Sequence, residues 1–338
     1  MKKNILVLIL ILVGAFCFIL ILVRKSDPES LVIDFARRYN GISATREDSI
    51  RLPGMPTTME ADSNMLYGYL HRQGIIIRYD LEKRKADTSL QIRSLFSGAI
   101  SGTDMDNAAN IFYFFGSGVN RIYRFRPEDS MKDSLSCGNI SLNGGKKCIM
   151  GSDFFVRTVD NASGLTCLKK VDCLGHTDTT LYTFAHFKDG GISADGFFVK
   201  DKLSKKQFFI PYYNSEIIQY DELNNTISKI ITIDKTKPFN CAVPTYQGYS
   251  ISSKSRINNI AATTDSAHLY LLSHTISRAQ HELPGTVVDV YSTVTGEYER
   301  SLQFPYFEGR RVSMLAKSGE RLFVAYGNTI LRYKIEYQ

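Results

Sequence analysis

Tryptophan is absent from the 338 residues, proline appears only 9 times and histidine only 6 times. The chain has no HExxH pair, GxSxG elbow, Walker loop or dinucleotide fingerprint, so the usual zinc-protease, serine-hydrolase, nucleotide and nicotinamide motifs are missing. No CxxC occurs among the 6 cysteines, which removes the common dithiol redox arrangement. Cys167, Cys173, His176 and His186 are the closest approach to a metal set, but their spacing lacks the close ligand pairs of structural zinc sites. Excess charge is also scarce. The net charge of +7 includes Lys2, Lys3, Arg24 and Lys25, which leaves about +3 for the remainder and no footprint for nucleic acid.

What the chain does have is one hairpin pattern written several times. Gly285–Phe304 reads as a β-rich run, a turn at Thr295-Gly296-Glu297 and a second strand ending in Leu302 and Phe304. Gly74–Ile92, Val119–Cys137 and Ser215–Ile233 share that outline, and Gly327–Tyr337 repeats its first half. Aligning Tyr79, Phe125, Tyr220, Val290 and Tyr333 gives intervals of 46, 95, 70 and 43 residues. The longest gap holds one further unit centred on Leu168, so six units result. Short antiparallel strands at a period of roughly 40–50 residues indicate an all-β, six-bladed β-propeller. The last unit lacks an outer strand, and Ile42–Leu52 is the candidate to supply it, because closure removes an open sheet edge.

Ile5–Val23 is uncharged and is flanked by Lys2, Lys3, Arg24 and Lys25. As a helix its 19 residues extend about 28 Å at ~1.5 Å per residue, close to the ~30 Å hydrocarbon core. The expected organisation is therefore a cytoplasmic start and one transmembrane helix over 1–25, a juxtamembrane linker over 26–41 and the propeller over 42–338. This places the chain in a bacterial inner membrane, single-pass, with its C-terminal domain in the periplasm. The competing readings are a cleaved signal peptide and a lipoprotein modified at Cys17, although bulky Phe16 departs from the small residue expected before a lipidated cysteine. Within the linker, Asp27–Arg38 reads either as a short helix or as a spacer containing a strand.

Two segments interrupt the repeat. Pro238–Arg256 carries two prolines and the aromatics Tyr246 and Tyr249, and Ser277–Pro284 extends a turn of the fifth unit. Long loops on a repeat scaffold are favoured binding surfaces, so the candidate contact residues are Tyr246, Tyr249, Arg256, Arg278, His281 and Glu282. Whether the two segments share a face stays open at this level. In an exported compartment Cys137 with Cys148 and Cys167 with Cys173 are the nearest disulfide pairings, the alternative being reduced, buried thiols. Asp104 with Asp106, and Asp178 with Asp195, read as turn-forming carboxylates ahead of a divalent-ion site. No catalytic residue, cofactor or metal ligand is indicated.

The strands IIIRYD, NRIYRF, EIIQYD, TVVDVY and TILRYK, with the tail from HLYLLSH to RYKIE, resemble the six-bladed, TolB-like propeller proteins of Bacteroidota over about Ile42–Tyr337. The resemblance implies the architecture and an N-terminal lipoprotein signal or anchor, and it carries over no catalytic residue. The function expected is binding of a protein, peptide or envelope ligand. The alternatives are a channel-mouth enzyme, either a metal-dependent hydrolase or an oxidoreductase, and a structural component of an envelope assembly.

Overall fold

The computed structural model describes residues 12–16, 18, 32–62, 64–92, 100–106, 111–116, 121–126, 131–136, 147–150, 153–160, 162–172, 178–184, 187–201, 203–277 and 285–337. Among these, six four-stranded antiparallel sheets form the blades of a propeller. Their innermost strands are Thr58–Ala61, Ile100–Asp106, Lys147–Met150, Gly196–Asp201, Asn259–Thr264 and Met314–Ser318. Each touches the innermost strands of both neighbouring blades, the last touching the first, so the strands enclose a central channel.

The second and third strands of each blade read as nearly continuous apolar runs because both their faces are buried. The period of two divides each run between two cores. In His268–Ser273 of blade five, Leu269 and Leu271 join the core shared with blade four, whereas Tyr270 and Leu272 join the core shared with blade six. In Arg321–Tyr326, Leu322, Val324 and Tyr326 face blade five, and Phe323 and Ala325 face blade one. Every neighbouring pair of blades is glued by such a cluster. Large aromatics fill the widening wedges: Phe112 and Phe114 meet Tyr67 and Tyr69 edge-on between blades one and two.

The last blade combines both ends of the propeller segment. Ile42–Arg51 runs antiparallel to Thr329–Tyr337, from Ile42 opposite Tyr337 to Arg51 opposite Thr329. A bulge between Arg46 and Asp48 interrupts the register. Around it the carboxylates of Glu47 and Asp48 both lie 2.9 Å from the buried guanidinium of Arg332.

The linker differs from a free spacer. Residues 34–41 run along blade five, and Val32–Ile33 pairs in parallel with Ile276–Ser277. This N-terminal strap is locked by Arg37, whose side chain is fully buried and forms two hydrogen bonds with the Asp289 carboxylate, at 2.8 and 3.1 Å. The Arg38 amide donates to Tyr298 Oη at 2.8 Å, and its carbonyl accepts from the Ser301 amide at 2.7 Å. The helical alternative for Asp27–Arg38 therefore fails over residues 34–38, because their backbone is engaged by blade five. Among the described residues no helix is long and apolar enough to cross a membrane. Only 12–16 and 18 of the expected anchor are described, and they are helical; the rest of it lies outside the described residues.

Candidate interaction face and central channel

Pro238–Arg256 contains more structure than a plain connection. Ala242–Thr245 and Gly248–Ile251 form a two-stranded hairpin turning at Tyr246-Gln247. Gly248 follows that turn at φ 123°, a conformation open to glycine. The base is firmly tied: the Cys241 amide donates to Ser193 Oγ at 2.8 Å, and the Ser252 amide donates to the Cys241 carbonyl at 2.7 Å. Beyond the base, Val243–Ile251 is exposed throughout, and Tyr246 is 102 % exposed at the tip. No charged residue occurs from Cys241 to Ser253. A two-stranded hairpin is marginal in water without a covering layer, so this one depends on its tied base.

Chain direction settles which loops share its face. Asn259–Thr264 runs away from that face and His268–Ser273 returns to it, where the His274 amide donates to the Asn258 carbonyl at 2.7 Å. The hairpin and Thr275–Ser277, the lead into the fifth-blade insertion, are therefore on one face. The strap reaches the same place through its pairing with Ile276–Ser277. Of the sequence candidates, Tyr246 and Tyr249 project from this face and Arg256 is half-buried at the hairpin's foot. Arg278, His281 and Glu282 lie outside the described residues.

The channel encloses about 1010 Å³. Lys200 crosses from blade four to the Asp104 carboxylate of blade two at 2.7 Å and donates to the Ile149 carbonyl at 3.2 Å. Burial pushes the Lys200 ammonium down, but Asp104 outweighs it and the net shift is upward, so the lysine is charged. Burial pushes the adjacent Cys148 thiol well up, and Asp104 adds to the effect. A thiol so held is protonated and a poor nucleophile. Lys200 thus belongs to an inner strand and to an ion pair.

Of the other acidic candidates, Asp178 pairs with Lys169 at 2.8 Å and Asp195 with Arg157 at 3.3 Å, while the side chain of Asp106 lies outside the described residues. Turn aspartates bond their own backbone, as Asp80 does with the amides of Glu82 and Lys83. Among the described residues there is no group of three or more potential metal ligands. Cys148, Cys167 and Cys241 are buried free thiols. Their sequence partners Cys137 and Cys173, and also Cys17, lie outside the described residues.

Against known proteins, no family model matches the sequence, and no curated protein does. Solved structures do match. A member of the duf4221 family from Bacteroides vulgatus aligns with TM-score 0.55 at 12% identity, covering 89% of this chain and 100% of that one. A structural genomics protein of unknown function from Bacteroides thetaiotaomicron aligns with TM-score 0.52 at 8% identity, over 91% and 75% of the two chains. The WD40 repeats of RRP9 align with TM-score 0.50 at 7% identity, over 90% and 100%. The likeness is one of fold. It agrees with the six-bladed propeller and does not extend to chemistry.

Proposed function

We propose that this chain is a membrane-tethered, periplasmic propeller of the TolB-like kind that works as an interaction module for a protein, peptide or cell-envelope ligand. The observation that carries the reading is the uncharged, exposed hairpin Ala242–Ile251, held by a buried base on the face where the strap arrives. Propeller loops that break the repeat gather on one face and are free to vary without disturbing the blade cores. The channel favours binding over catalysis for a different reason. Its central lysine and aspartate satisfy one another, and its thiol is kept protonated.

A photocrosslinking residue placed at Tyr246 in cells is expected to give a covalent adduct. The same residue at Leu203, 83 % exposed in a turn on the opposite face, is the control. Equal, background-level crosslinking at both positions would refute the reading.

A further inference from the structure

The two faces of the ring differ in kind. On the hairpin face Val243, Tyr246, Tyr249, Ile251, Ile257 and Ile276 are exposed apolar or amphipathic side chains. Around them stand the exposed cations Lys188, Lys235, Lys237, Lys254, Arg310 and Arg311, which outnumber the exposed acids Asp34 and Glu308 of the same face. The opposite face presents isolated apolar residues, Leu203, Leu223 and Val294, among charges of both signs such as Glu82, Lys83 and Glu297. Tyrosine and aliphatic side chains ringed by lysine and arginine suit a bilayer interface, where the ring sits at headgroup depth and the cations meet anionic lipid.

Chain length points to the same occupant. Only residues 24–31 separate the uncharged segment Ile5–Val23 from Val32, where the strap joins blade five. At 3.3–3.6 Å per residue they reach about 28 Å at most. The buried Arg37–Asp289 pair prevents the strap from paying out further. A chain anchored by its N-terminal segment therefore meets the membrane from the hairpin side, where the strap begins.

We infer that the ligand of this face is the lipid surface of the membrane that holds the chain, with the hairpin tip resting among the headgroups of anionic phospholipids. This rests on the tethered reading above. The contact fixes the propeller's orientation and leaves the opposite channel mouth facing away from the membrane.

Because the protein has no tryptophan, Tyr246→Trp supplies a single fluorophore. The full-length variant is reconstituted into vesicles of phosphatidylcholine and phosphatidylglycerol, with brominated phosphatidylcholine as quencher and Leu203→Trp as the control. Blue-shifted emission and several-fold stronger quenching for Tyr246→Trp than for Leu203→Trp are expected, with quenching reduced when phosphatidylglycerol is omitted. Release of the chain from the vesicles by alkaline carbonate would overturn the tether itself. A chain that stays bound while Tyr246→Trp remains unquenched would overturn the lipid contact alone. A blue shift without quenching would assign the hairpin to another copy of the protein and overturn it equally.

Discussion

Arg37→Met tests whether the N-terminal strap is an integral part of the ring. The guanidinium contacts both oxygens of Asp289, the Thr275 carbonyl at 2.9 Å and Ser273 Oγ at 3.2 Å. Without it, the Asp289 carboxylate keeps the Ser301 hydroxyl at 2.6 Å but loses its buried cation, since the paired side chains are only 0% and 2% exposed. Breaking a buried pair from one side costs about 3–5 kcal/mol. An unfolding entropy of about 2.1 cal/mol/K per residue over roughly 300 residues converts this to a Tm lower by ~5–8 °C. Scanning calorimetry of Arg37→Met, Asp289→Asn and the double variant reads the coupling directly. The double variant leaves no unpaired charge, so most of the loss should be recovered. A single variant melting within about 1 °C of the parent, or a double variant no better than the singles, would refute the packing argument.

Other perturbations probe separate parts of the ring. Arg332→Met removes the cation that Glu47 and Asp48 share beside the bulge and leaves Glu47 only Arg321 at 3.4 Å, so the Tm should fall and protease cleavage within 42–51 should quicken; unchanged cleavage would deny that strand its role at the edge of the last blade. Burial pushes the Asp265 carboxyl up, but hydrogen bonds from His268, Tyr270 and the Ala267 amide, with Lys317 nearby, hold it well below the usual carboxylate range. Its stabilisation is therefore fully present above the unfolded value of about 3.9 and is lost as pH falls through the lower folded value. Acid melting of Asp265→Asn should show a correspondingly flatter pH slope, and an unaltered slope would contradict the assignment. Cys148 should resist iodoacetamide in the native state and react on unfolding, as read by peptide mass; rapid native labelling would contradict its burial.

The six-unit count was legible because the second and third strands of each blade are buried on both faces and so carry unbroken apolar runs such as Ile75–Ile77 and Leu269–Leu272. The inner strands were harder to read. Thr58–Ala61, Ile100–Asp106 and Met314–Ser318 mix polar and apolar residues because they border the channel, so the pairing of Asp104 with Lys200 has no sequence signal. One local signal marks two of these strand ends. DSNMLY at Asp62–Tyr67 and DSAHLY at Asp265–Tyr270 each place an aspartate that accepts from backbone amides two and three residues on and from the tyrosine hydroxyl five residues on.

Tyr246 and Tyr249 were legible as loop aromatics, but the hairpin that displays them was not, because its apolar residues face solvent without a buried side to impose alternation. Arg37 gave no local sign at all. Its partner is 252 residues away, and only the fold brings them together.

Cysteine labelling in cells reads directly whether the hairpin face is covered. Tyr246→Cys and Leu203→Cys, expressed as full-length chains in spheroplasts, are to be labelled with a bulky membrane-impermeant maleimide and compared with the same variants in detergent. Labelling at 246 should be several-fold slower than at 203 in spheroplasts and equal to it in detergent. Equal, fast labelling of both positions in spheroplasts would mean that the hairpin face is bare.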